Sequence, residues 1–268
     1  MKQSWTTWTV PDKQNKVEVD MKKIHLLVIL SLTLLVGCDR GMNKTAQNLL
    51  LVFADQEESV EPYKTRVIVT PDFMRFDYGE GATDFLLFDR KQKTIYSVIQ
   101  ESKSVTVITS NAVDIKPPFD LKLSNKQIHD LKDAPTMDGV KPQHHVYLSG
   151  EQVCFEVLSV PGFLPAYVLA MQEFNTILAN DSALTLNGMP ADMQDGCSLA
   201  KDVFAPNRHF QAGFPIQQWG SDGTRTELLE FKKDYQADKT LFEIPAGYNR
   251  LNIQDIRSKL SGQPAAQE

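Results

Sequence analysis

The residues best suited to chemistry in this 268-residue chain are its three cysteines and five histidines. Cys38, Cys154 and Cys197 form no C-x-x-C pair and sit in no Cys/His pattern, so their spacing spells neither a redox dithiol nor a zinc site. His144 and His145 are adjacent in a stretch that reads as a strand. Successive strand side chains point to opposite faces, so these two cannot close on one ion. His129-Asp130 and Arg208-His209 lack a third partner nearby in sequence. A triad assembles equally well from distant residues, which keeps open a hydrolase whose groups meet only in space. The chain has no G-x-S-x-G, no H-E-x-x-H and no phosphate loop. Gly79-Glu80-Gly81 opens like a nucleotide loop, but Asp84 stands where its third glycine belongs, and a hairpin turn accounts for it. Asp192 to Gly196 lacks the alternating oxygens and closing Glu of a calcium loop. The expectation is a non-enzymatic protein with no cofactor and no metal.

Charge and composition narrow the partners. Lys and Arg number 28 against 34 Asp and Glu, a net charge of −6 with no basic block, which argues against nucleic acid. With 42% apolar and 23% charged residues, the chain is neither a disordered nor a polytopic membrane sequence. The strongest local signal begins at Met21. Met21-Lys22-Lys23 is basic, and Ile24 to Val36 is apolar apart from His25, Ser31 and Thr33. That run falls short of the roughly 20 residues a membrane helix needs and has the length of a signal-peptide core. It ends Leu35-Val36-Gly37-Cys38, which resembles the lipobox of bacterial lipoproteins. The resemblance implies diacylglycerol on Cys38, cleavage before it, and acylation of the new amino terminus. That is a periplasm-facing lipid anchor in the cell envelope, stable because more than one acyl chain is attached. Asp39 is similar to the inner-membrane retention signal of enterobacterial lipoproteins, although a plain tether residue explains it too and the outer membrane stays open. Residues 1–20 read as an upstream mis-start or a long n-region, 21–37 as the signal peptide and 38–50 as a tether. With Cys38 lipidated, Cys154 and Cys197 remain as an even pair in an oxidising compartment. A disulfide is expected, two separate buried thiols being the alternative.

The elements that must position any site are mostly strands. Tyr63–Thr70, Phe73–Tyr78, Asp84–Asp89, Thr94–Gln100 and Ser104–Thr109 are runs rich in Val, Ile, Phe and Tyr, with separators too short for anything but antiparallel neighbours. Leu121 to Asp138 reads as polar loop with a helical turn. His144–Ser149 and Gln152–Leu158 read as a hairpin about Gly150. Leu164, Tyr167, Val168, Met171, Phe174 and Leu178 recur at helical spacing behind Pro165, predicting a helix over 165–180. A short helix follows Cys197, a hairpin turns at Ser221-Asp222-Gly223, and 251–268 reads as terminal helix and tail.

Several strands are apolar on both sides, which a sheet covered on one face does not tolerate. Val67, Val69, Met74, Phe76 and Tyr78 alternate onto one face, and Val105 and Val107 are apolar on theirs. Something must cover the second face: a wrapped barrel, the 165–180 helix or a bound lipid, with ordinary core packing as the alternative to a ligand cavity. The segment Leu241-Phe242-Glu243-Ile244-Pro245-Ala246-Gly247-Tyr248, with Phe73-Met74-Arg75-Phe76, Thr94-Ile95-Tyr96-Ser97-Val98 and Gly213-Phe214-Pro215-Ile216, resembles envelope proteins related to the LolA/LolB lipoprotein carriers. Over residues 51–250 the resemblance implies a mainly β fold: a half-open antiparallel β-barrel with one long and one or two short helices over its concave face. In the carriers the concave face holds acyl chains; the strands apolar on both sides, rather than these scaffold strings, predict an apolar-ligand face here drawn from Val67, Val69, Met74, Phe76, Tyr78, Val105 and Val107, with Tyr167, Met171 and Phe174 as lid. A module that docks an envelope protein partner is the alternative function.

Overall fold

The structure is a computed structural model that describes residues 48–109, 113–129, 131, 136–186 and 194–261, with side chains as far as Arg257. The proposed signal peptide, Cys38 and Asp39 lie outside these residues. Strands β1 (Leu49–Gln56), β2 (Tyr63–Val69), β3 (Phe73–Asp77), β4 (Phe85–Asp89), β5 (Thr94–Ile99) and β6 (Ser104–Thr109) come first. They are followed by β7 (Leu123–Ile128), β8 (Gln143–Ser149) and β9 (Gln152–Val160), then helix α1 (Pro165–Leu186). A four-residue helix α2 (Gly196–Leu199) runs into a π turn at Ala200–Phe204 and a 3-10 turn at Arg208–Ala212. Strands β10 (Phe214–Gly220) and β11 (Arg225–Lys233), a 3-10 turn at Lys239–Phe242, β12 (Asn249–Asn252) and helix α3 (Ile253–Ser261) complete the order.

The twelve strands among the described residues form one open sheet in the order β12-β6-β5-β4-β3-β2-β1-β11-β10-β9-β8-β7. The mainly β class with one long helix is as expected, and the five-strand meander from 63 to 109 stands as read. Four readings need correction. The tether expected over 38–50 ends too late, because β1 starts at Leu49 and lies mid-sheet between β2 and β11. The loop expected over 121–138 holds β7, an edge strand exposed along its whole length, whose polar sequence hides it from a search for apolar runs. The helix runs on to Leu186, since Ala179, Ala183 and Leu186 stay buried. The pairing is not wholly antiparallel: β12 lies parallel to β6 because the chain returns to that edge by a long connection.

Register shifts fall between Val52 and Phe53, Tyr147 and Leu148, and Pro215 and Gln217. Pro215 has no N–H to give a ladder, so a bulge is where a strand tolerates it. Gly213 opens β10 at φ +114°, and a Cβ there would lie 2.4 Å from the Val160 carbonyl oxygen, so only glycine fits.

Each face of the meander buries an apolar cluster, by different means. On one, α1 sets Tyr167, Ala170, Phe174 and Ile177 against Leu51, Phe53, Val67, Met74 and Phe88. Tyr167 packs on Phe53 and Phe214 at 5.7 and 5.0 Å between ring centres, and Phe174 on Phe76 and Phe88 at 5.1 and 5.9 Å. The other face buries Phe85, Leu87, Tyr96, Val98 and Val105 beneath Phe242, Ile244 and Tyr248. The segment that prompted the carrier resemblance is therefore the cover of the second face.

Candidate functional site

The turns after β1, β3 and β5 all lie at one end of the sheet, as strand alternation requires. Helix α1 crosses nearer the other end, where Arg90 of the β4–β5 turn donates to Glu173 at 2.8 Å. Its cover therefore runs out along each strand. On β3 the residues facing the helix side pass from Met74, fully buried, through half-buried Phe76 to Tyr78 at 71% exposure. On β5 the same series is Ile95, Ser97 and Ile99, the last 40% exposed. The uncovered part is a groove of about 360 Å³ lined by Tyr63, Thr65, Phe76, Tyr78, Leu86, Ser97 and Ile99, with Asp77, Asp84, Phe85 and Val98 at its edges. Phe76 belongs both to the groove and to the packing under Phe174.

Polar groups fix this groove rather than fill it. The Tyr63 and Tyr78 rings meet edge to face at 6.0 Å. The Tyr63 hydroxyl donates to Glu57 at 2.7 Å, and that bond, helped by burial, pushes its pKa up to about 12, so it stays a neutral donor. Asp77 accepts from Arg66 Nε and Nη2 at 2.7 and 2.8 Å, from Arg75 Nε at 2.6 Å and from the Gly79 N–H at 3.0 Å. Burial alone would raise the Asp77 carboxyl, but these bonds override it and hold it below the usual carboxylate range. Arg75 also lies 3.7 Å from the Phe85 ring centre and donates to the Leu241 carbonyl, tying the ion centre to the cover of the opposite face.

The residues expected to line a ligand face are split three ways. Val67, Val69 and Met74 are sealed under α1, and Phe76 and Tyr78 line the open groove. Val105 and Val107 lie on the opposite face, because β5–β6 register sets Val105 against Val98 and Val107 against Tyr96. Of the expected lid residues, Tyr167 and Phe174 face the sheet, whereas Met171 also lines a second cavity beside the helix. Tyr63, Leu86 and Ile99 were missed. Their alternation was readable within each strand, but only the register shows which phases share a face. Cys154 and Cys197 are joined as expected, tying β9 to the start of α2 with Cα atoms 5.1 Å apart.

The second cavity, also about 360 Å³, gathers His209, Ser182, Asp181 and Asp202 with Phe155 and Met171. It holds residue types a hydrolase would need, yet among the described residues no hydrogen bond links His209 to Ser182 or to either carboxylate. Asp181 is instead taken by Arg257 at 2.6 and 2.5 Å. Burial, with the Arg208 and Lys201 charges, pushes His209 down to about 4, so it is neutral at ordinary pH. His144 bonds Glu156 at 2.6 Å and stacks on Trp219. Among the described residues no group of three or more His, Cys, Asp or Glu is placed to hold a metal ion, and no helix is long and apolar enough to cross a membrane.

No protein-family model and no curated protein matches this chain. Among solved structures, it is similar to an uncharacterized conserved protein from Thermus thermophilus, at 11% identity over 80% of this chain and 95% of that one, with a TM-score of 0.39. It is also similar to PNGF-II in two crystal forms, at 12% identity and TM-scores of 0.37 and 0.40. Those matches take in 80% and 81% of this chain but 32% and 33% of PNGF-II, so the chain spans about a third of that protein's length.

Proposed function

We propose that this chain is a lipid-anchored protein of the bacterial cell envelope that faces the periplasm and binds an acyl-like ligand without chemical turnover. The ligand lies in the groove beside α1. The observation that carries this reading is the burial gradient along β3: one apolar face runs from Met74 under the helix, through Phe76, to Tyr78 in the open. An alkyl chain laid on Phe76, Leu86 and Ile99 removes from water surface that the fold leaves wet, and such burial contributes about 25 cal/mol per Å². Helix α1 suits a lid because its inner face is rings and small residues, and its only two charged residues, Glu173 and Asp181, are anchored to Arg90 and Arg257.

Neutral N-phenylnaphthylamine, which fluoresces on leaving water, tests the groove. The purified chain should enhance its emission. Phe76→Asp should abolish the effect, as should Ile99→Asp, a change at a more exposed position that leaves the fold intact. Wild-type emission in the folded Ile99→Asp variant would remove the groove from consideration. The anchor is tested separately: Cys38→Ala should remain an unprocessed precursor that takes up no labelled palmitate, and normal processing and labelling of it would refute lipidation. A second reading, docking of an envelope protein, draws on β7, whose outer edge pairs with no other strand among the described residues and whose residues are all exposed.

A further inference from the structure

The groove end of the sheet carries an unbalanced charge. The turns spanning 57–62, 78–84 and 100–103 hold Glu57, Glu58, Glu61, Glu80, Asp84 and Glu101 against a single cation, Lys103. Among the described residues none of the six is in an ion pair, and the groove lining contains no Lys or Arg. Asp77 does not add to this excess, since Arg66 and Arg75 pair with it and leave one positive charge over, far short of balancing the six carboxylates. The opposite end, under α1, has the reverse character: Arg90, Lys91 and Lys93 occupy its β4–β5 turn, and each meets a carboxylate, Glu173 or Asp72. Direct pairing at one end and only distant, partial compensation at the other, from Arg66 and Lys103, mark the groove mouth as the place where positive charge is missing.

Two rings stand at that mouth. Tyr63 and Tyr78 meet edge to face, Tyr78 is mostly exposed, and Glu57 keeps the Tyr63 phenol neutral. Aromatic faces attract ammonium groups, and Asp84, which accepts the Gln100 N–H, lies on the same lining. An apolar floor ending in rings and unpaired carboxylates is complementary to an alkyl chain that ends in a cation. Resting on the reading of the groove as an apolar-ligand site, we infer that it selects amphiphiles with a positively charged head over those with an anionic one.

Calorimetric titration of the purified chain with dodecyltrimethylammonium and with dodecanoate, each below its micelle-forming concentration, tests this. The cationic amphiphile should bind roughly tenfold more tightly, the scale of one cation–π contact with a partly screened charge pair. That ratio should shrink in about 1 M salt, where charges are screened beyond about 3 Å. In the E80Q/D84N double variant the affinity for the cation should fall toward that for dodecanoate. Equal affinities, tighter dodecanoate binding, or binding of neutral N-phenylnaphthylamine without either amphiphile would overturn the charge preference while leaving the groove as an apolar site. Failure of all three to bind would overturn both. An unchanged ratio in E80Q/D84N would remove these carboxylates as its cause.

Discussion

The two halves of this sheet are held by different means. From β1 to β6 each strand pairs with its neighbour in sequence, the described registers within the meander are unbroken, and a buried ion centre at Asp77 joins three elements. From β7 to β11 the ladder is interrupted by bulges, the outermost strand is exposed throughout, and four side chains, His145, Ser159, Asn207 and Arg208, bury polar atoms that have no hydrogen-bond partner among the described residues. Arg208 stacks over Tyr147 and Phe155 at 5.4 and 5.1 Å with Nε and Nη2 unbonded, and His209 beside it is kept neutral. The disulfide sits in this second half. A half built of local, regular pairing needs only noncovalent ties, whereas one that buries polar atoms without partners and bends its strands carries a covalent one.

Breaking the ion centre should have the largest effect. Asp77→Ala leaves two guanidinium groups buried without their counter-charge and should cost about 3–5 kcal/mol, read as a shift of the urea midpoint. A loss below about 1 kcal/mol would mean that the regular strands alone hold the meander. Cys154→Ser with Cys197→Ser reopens a loop spanning 43 positions and should cost up to about 4 kcal/mol in the chain-entropy view. Its sharper signature is regional: amide exchange should quicken in β8 to β10 and in 196–212 while β2 to β5 keep their protection. Uniform acceleration would erase the distinction between the halves.

The third test uses pH. Burial lowers the His209 pKa to about 4, against an unfolded value near 6.5, so between these pH values the unfolded chain binds the extra proton. Stability should therefore be intact above about pH 6.5 and fall as pH drops toward 4, by roughly 3 kcal/mol from this group. Asp77, depressed in its turn, adds its loss only in still more acid solution. His209→Gln should flatten the slope between pH 6.5 and 4; an unchanged slope would move the acid sensitivity elsewhere.

How far the fold was legible follows the same division. The meander shows in sequence because Val, Ile, Phe and Tyr fill its strands and the turns between them are short. Strand β7 was invisible because Leu-Ser-Asn-Lys-Gln-Ile has an edge strand's polarity, and β1 because its burial depends on β11, far away in sequence. The apolar-on-both-faces pattern correctly demanded a second cover, and Phe242, Ile244 and Tyr248 supply it. Only the register could place Val105 and Val107 on that side, and only the length of α1's crossing reveals the groove.

Strand β1 has a consequence in time. A chain made from its amino end completes β1 to β6 by residue 109, yet the second edge of β1 waits for Arg225–Lys233. At synthesis rates of about 5–20 residues per second, that interval is on the order of ten seconds. Throughout it Leu49, Leu51 and Phe53 alternate along an open rim, a template onto which another unfinished chain can zip. Any factor that shields the nascent protein must occupy the berth reserved for β11 and then yield it.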